Sequence, residues 1–257
     1  LNKTPSTRAV LLLLLFIPGW ELVRILTGVS PVLMPPLVDI GRALVEGLLG
    51  GRLVSQTLYS LGLILLGGFL ALLLALGAIF LALRSEVAQK VVDHLGSIFH
   101  PLPGIALLPL IILWFGIGPS AILAVIVHSV LWPLVTNLQS GVRSVPEVWR
   151  MSAANYGVRG WRYLWLVLLP ASAPAALAGL RIAWARAWRA LLSAEMLFGA
   201  AGAGGGLGWF IATRRSFMDT PGLFAGIIVI SAIGVGVENY LFRTVESRTL
   251  VRWGMAS

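Results

Sequence analysis

"TLYSLGLILLGGFLALLLALGAIFLAL", residues 57–83, contains no charged side chain and is rich in Leu, Ala and Gly. About 20 mostly apolar residues are enough to cross a bilayer core of roughly 30 Å. This run is the longest of several in the chain, and it predicts a transmembrane helix. The whole composition points the same way. Of 257 residues 58% are hydrophobic and 11% charged, whereas a soluble domain carries roughly 25% charged residues. The expected fold is therefore all-α and polytopic, a single membrane domain over residues 1–257.

Working outward from 57–83, five further spans are drawn at 9–28, 95–115, 120–142, 173–198 and 223–242. The run from Ala9 imitates the apolar core of a signal peptide. No small-residue cleavage site follows it, so it reads as the first span, with Glu21 and Arg24 near its far end. Pro101, Pro103 and Pro109 predict a bend in the third span, and Pro133 lies inside the fourth. Prolines at membrane depth are tolerated where neighbouring helices re-satisfy the freed backbone groups. Gly62, Gly67, Gly68 and Gly77 are candidates for close helix approach.

The net charge of +9 raises the possibility of nucleic-acid binding. No basic patch is interleaved with stacking aromatics, as single-strand binders require. The basic residues instead fit the positive-inside rule. With the N-terminus cytoplasmic, inner segments hold Lys3, Arg8, Arg84, Lys90, Arg143, Arg150, Arg159, Arg162, Arg243, Arg248 and Arg252. The outer segments hold Arg42, Arg52, Arg214 and Arg215, with Arg24 near that face. This asymmetry puts both termini inside. The chain has no cysteine, which excludes disulfides and thiolate metal sites. His94, His100 and His128 are scattered and suggest no ligand cluster. No carboxylate pair or nucleophile–base motif stands out, so an enzyme is not expected.

Two outer connections are informative. "SPVLMPPLVDIGRALVEGLLGGRL" (30–53) has Asp39, Arg42 and Glu46 at near-helical spacing and predicts an interfacial helix. "GAAGAGGGLGWFIATRRSFMDTPG" (199–222) is Gly-rich but lacks G-x-x-x-x-G-K-[ST]. It reads as a flexible or close-packed outer loop and binds no nucleotide.

The segment 145–170 is the longest inner connection and reads as two short helices. Pro146 and Glu147 suit a first helical turn. Gly157 and Gly160 punctuate the segment, and Trp161–Leu169 resumes before Pro170. An ordinary amphipathic linker on the headgroups fits this pattern. So does a docking helix whose small tip, Ser152-Ala153-Ala154, enters a groove on a cytoplasmic partner.

These residues resemble the cytoplasmic loop of ATP-binding-cassette importer permeases, E-A-A-x-x-x-G-x9-I-x-L-P. Gly157 takes the glycine position, Val167 the isoleucine, and Leu169-Pro170 the L-P. Met151-Ser152-Ala153 stands where the pattern has E-A-A. "VLMPP" (32–36), "HPLPGIALLPLIILWFGIG" (100–118), "GLRIAWARAWRALLSAEM" (179–196), "GGLGWFI" (205–211) and "RTLVRWGM" (248–255) look like the nitrate/sulfonate/taurine/bicarbonate branch, in the right order over nearly the full length.

The resemblance implies a type I importer permease with about six transmembrane helices in a bacterial inner membrane. It implies pairing with a second copy of the permease around a central path. Two cytoplasmic ATPase subunits would dock through the coupling helix, and an extracytoplasmic substrate-binding protein would deliver a small anion. Met151, Ser152, Ala153, Ala154, Gly157, Leu169 and Pro170 are then the ATPase-coupling residues. ATP and Mg would reside on the partner subunits, with no cofactor in this chain; membrane lipid would be a further partner and nucleic acid none.

The fifth span carries Arg181, Arg186, Arg189 and Glu195. Charges inside a membrane cost several kcal/mol unless they are paired or face water. Arg181 is near the cytoplasmic end, where it snorkels or pairs. Arg186 and Arg189 share a helical face. Glu195 is six residues beyond Arg189 and needs a partner on another helix. Two readings stand for Arg186, Arg189 and Glu195: buried ion pairs between bundle helices, or a substrate path whose guanidinium groups attract an oxyanion. Trp184 and Trp188 read as packing. A stand-alone secondary transporter or channel would call for a repeat in two matching halves, and none is convincing. A structural or assembly protein would not need the coupling-loop spacing.

Overall fold

The charge-free run becomes the body of α3 (Arg52–Arg84), 33 residues long. At 1.5 Å per residue this helix overruns a bilayer core of roughly 30 Å. A computed structural model describes residues 7–198 and 205–251, and among them it holds helices and turns but no strand. The remaining elements are α1 (Thr7–Thr27), α2 (Leu37–Leu49), α4 (Glu86–Phe99), α5 (Leu108–Phe115), α6 (Pro119–Arg143), α7 (Glu147–Asn155), α8 (Gly160–Tyr163), α9 (Leu169–Phe198), α10 (Leu207–Ser216), α11 (Thr220–Gly236) and α12 (Arg243–Glu246).

The centre of the bundle is α3 against α6 and α6 against α9. Ile64, Ala71 and Ala75 of α3 meet Ile122, Val125, Ile126 and Leu134 of α6, with Ala183, Ala187, Leu191 and Ala194 of α9 completing the core. Lipid tails are as apolar as these side chains, so helices associate through close packing rather than by escaping water. Gly67 supplies one such contact. A Cβ there would stand 2.7 Å from Ile126 Cγ2. Gly62, Gly68 and Gly77 face open space instead. Of the four candidate glycines, close approach thus falls to Gly67. Gly179 of α9, against Asn137 Cβ at 2.7 Å, serves the same purpose in the α6–α9 seam.

The expected third span, 95–115, is more than bent. α4 starts earlier, at Glu86, and ends at Phe99. A turn of 3-10 helix (Gly104–Leu107) leads into α5, and the two arms stand at 89°. Pro101 and Pro103 explain the break. Each lacks an N–H and restricts the residue before it, so the helix cannot pass residues 100–103. Pro109 sits in the first turn of α5, where a missing N–H costs little.

At Pro170 the outcome is the reverse. The helix was expected to stop there and the fifth span to begin at 173. Instead α8, a π-helical turn (Leu164–Leu168) and α9 follow one another without a gap, and the helix passes through Pro170 and Pro174. A π turn widens the coil next to the prolines. The Ser172 hydroxyl, between the two prolines, donates to the Leu168 carbonyl at 2.7 Å. The last span is also longer than expected: Thr220–Thr249 is one apolar helical run with π turns inside it. Among the described residues four helices are long and apolar enough to cross a membrane, or five if α4 and α5 form one broken span.

The two connections read as outer both contain helices held by carboxylates from the helix before them. The Leu37 N–H at the start of α2 donates to Glu21 of α1 at 2.7 Å, and Trp20 Nε1 donates to the Pro35 carbonyl. α2 packs on α11 rather than lying free. The Gly-rich connection is helical from Leu207, as α10, while 199–204 lie outside the described residues, as do 252–257 at the chain's end.

Candidate functional site

α7 rests on the π turn that starts the α9 rod. Pro146 precedes its first turn and Glu147 opens it. Arg150 Nη2 donates to the Val142 carbonyl at 3.0 Å, satisfying an acceptor at the end of α6. The helix ends at Gly157, whose φ of +69° is the left-handed conformation that glycine adopts without strain. There the Val158 N–H donates to the Ala153 carbonyl at 2.8 Å and the Gly157 N–H to that of Ala154 at 3.0 Å. This paired closure is the Schellman stop, and it gives the glycine of the loop pattern a physical reason.

The expected coupling residues divide by burial. Ala153 is buried against the bundle, whereas Met151, Ser152 and Ala154 face outward. Val148, Trp149, Met151 and Tyr156 are exposed large apolar side chains around them. Leu169 and Pro170 lie at the base, on α9, beyond the buried Leu168.

Further along α9, Arg186 and Arg189 line one cavity of about 320 Å³. Its other walls come from the broken segment 99–104 and from α6: Phe99, His100, His128, Ser129 and Trp132. Arg186 reaches the His100 carbonyl and His100 Nε2, both at 3.5 Å, the long limit of hydrogen bonding. Arg189 Nε donates to the carbonyl of Ala185 in its own helix at 3.1 Å. Among the described residues no carboxylate lies within ion-pairing distance of either guanidinium.

The histidines are part of the same wall. His128 Nε2 stands 3.1 Å from the Leu102 carbonyl, an acceptor, so that nitrogen carries the hydrogen. Among the described residues the buried His100 Nδ1 has no hydrogen-bond partner. Phe99 and Trp132 stack with centroids 5.4 Å apart. The cavity is therefore rich in donors (two guanidinium groups, a hydroxyl, imidazole N–H), and no Asp or Glu lines it.

Glu195 is not in this cavity. It is 1% exposed, on the α10 side of α9. Its carboxylate accepts from the Ser60 hydroxyl at 2.7 Å and from the Gly208 N–H at 2.8 Å. The partner that its position demanded is thus a serine and a backbone amide, not a cation. Arg181 is paired, with Glu238 at 3.0 Å and Glu246 at 3.2 Å. Trp184 and Trp188 stack on each other at 5.7 Å. The structure brings Arg186 and Arg189 together and sets Glu195 apart.

Reading by composition missed His100, His128, Ser129 and Ser60. The histidines are 28 positions apart and meet only because the chain breaks at 100–103. Ser60 is hidden inside the apolar run. Its one signal is a hydroxyl in a charge-free helix.

Long apolar helices packed through small residues define a multi-pass membrane protein. Residues 64–249 match the family described as binding-protein-dependent transport system inner membrane component, and the chain belongs to that family. It is 30% identical to the taurine transport system permease protein TauC of Escherichia coli (strain K12) over 245 residues, 92% of this chain and 88% of the relative. The putative aliphatic sulfonates transport permease protein SsuC of Bacillus subtilis (strain 168) is 29% identical, covering 96% and 87%. The formylaminopyrimidine transport permease protein ThiX of Halalkalibacterium halodurans is 27% identical, covering 84% of each chain.

Proposed function

We propose that this chain is the transmembrane subunit of an ATP-driven importer for a small anionic solute: nitrate, a sulfonate such as taurine, bicarbonate or a similar oxyanion. It pairs with a second copy of itself, receives solute from an extracytoplasmic binding protein, and docks two cytoplasmic ATPase subunits that bind ATP and Mg. Both termini are cytoplasmic, which places α7 inside and α10 outside. The distribution of basic residues supports that orientation.

The observation that carries the anion reading is the pair Arg186 and Arg189 on one cavity with no carboxylate to neutralise them. Arg186 is half-buried and Arg189 exposed, and a guanidinium fork is matched by an oxyanion with two acceptors. The cavity size falls within the roughly 300–1,000 Å³ of small-molecule sites. Taurine and aliphatic sulfonates, named for two relatives, share that anionic chemistry. α7 supports the coupling role: it presents small and apolar side chains outward while Ala153 holds it to the bundle.

Replacing Arg189 with Gln and measuring uptake of labelled taurine, nitrate and bicarbonate tests the site. Uptake of the transported anion should fall by about tenfold, the loss of one charge-assisted contact, with ATPase assembly intact. Unchanged affinity and rate for all three would overturn the anion path.

A further inference from the structure

The helix that begins at Gly160 beside α7 runs without a gap to Phe198, roughly 60 Å. Near its far end Glu195 is joined to two other elements. The carboxylate accepts the Gly208 N–H of α10 and the Ser60 hydroxyl of α3, and Ser60 Oγ accepts the Leu207 N–H at 2.9 Å. The first N–H groups of a helix have no partner within the helix. α10 follows Gly206, which has no side chain to cap it, so side chains of α9 and α3 do so. Glycine is required at the joint: a Cβ at Gly206 would overlap Glu195 Oε1, and one at Gly208 would overlap the Leu192 carbonyl oxygen.

α10 in turn shapes the far face of the bundle. Phe210 and Arg214 line two adjoining cavities of about 550 and 600 Å³ that share Gly50 and Arg52, and Trp209 and Thr213 line the larger.

We infer that Glu195 is a positioning residue that locks α10 to α9, so that movement of the α7 end is carried to the outer mouth of the path. The inference rests on the coupling role proposed for α7. A helix held by a buried carboxylate on one neighbour and a hydroxyl on another cannot stay in place while α9 shifts. It moves with the rod, or the cap breaks.

The chain has no native cysteine, so single reporters can be read cleanly. Thr213→Cys on α10 and, as a control, the exposed Ser30→Cys between α1 and α2 would be labelled with a membrane-impermeant maleimide in the assembled transporter in proteoliposomes, with and without ATP and vanadate. In the parent protein Thr213→Cys labelling should change about fivefold with nucleotide, and Glu195→Gln should raise it about fivefold and abolish the response. The ratio of binding-protein-stimulated to basal ATPase should fall by about the same factor. Gly208→Ala, which keeps the carboxylate, should behave alike. The lock is overturned if Glu195→Gln leaves both labelling and nucleotide response as in the parent. It is also overturned if both reporters change together with the thermal midpoint, the mark of general unfolding. No nucleotide response in the parent protein would instead break the coupling reading, and the transmission with it.

Discussion

Of the residues of α7 only Ala153 is buried, whereas Leu207, Gly208, Phe210 and Ala212 of α10 all are. Both are short helices at the ends of the same rod, α9. α10 finds its partners within the chain: a carboxylate, a hydroxyl and two glycines close its junction. α7 is closed at its end by its own backbone around Gly157, and it leaves Val148, Trp149, Met151 and Tyr156 uncovered. Under the proposed orientation these apolar side chains lie outside the bilayer, where an exposed patch marks a contact surface. The difference teaches that one end is sealed inside the subunit, while the other leaves an apolar surface open, as the proposed docking of an ATPase subunit requires.

This contrast can be broken by substitution. Gly208→Val at the sealed end should have the largest effect on stability, about 3 kcal/mol, because the added side chain meets the Leu192 carbonyl and Glu195. Thermal unfolding in detergent reads it. Ser60→Ala should follow at about 2 kcal/mol, since it strands the Leu207 N–H and one acceptor site of the carboxylate. Gly157→Ala should cost about 1 kcal/mol for an alanine forced into the left-handed conformation, and it should loosen the end of α7 to proteolysis.

The smallest stability effect belongs to Ser152→Trp, within about 0.5 kcal/mol, because the side chain faces outward. Its effect on transport should nevertheless be large. Uptake should fall about tenfold or more as the bulky tip loses its fit to the partner. If Ser152→Trp unfolded the protein while Gly208→Val did not, the two ends would have been assigned the wrong way round.

Much of the bundle was legible because its signals are local. A charge-free run of 27 residues has one reading, and Gly157 marks a helix stop wherever it falls. The prolines were half legible. Pro101 and Pro103 promised a bend, but an 89° break depends on two prolines acting on the same turn. Pro170 promised a stop, but the helix continues through it after a π turn. Glu195 stood out as a charge in need of a partner on another element. That partner was not legible, because a serine in an apolar run and a backbone N–H carry no pattern. The gathering of His100 and His128 beside Arg186 and Arg189 is likewise a product of the chain's break, not of spacing.

The most direct test of the account is affinity purification of the intact chain from its native membrane, followed by identification of what remains bound and reconstitution in liposomes. A stoichiometric ATPase subunit should be retained, Ser152→Trp should release it, and uptake should require ATP together with the binding protein. A purified chain that carries solute across liposomes alone, with no ATPase attached, would contradict the account.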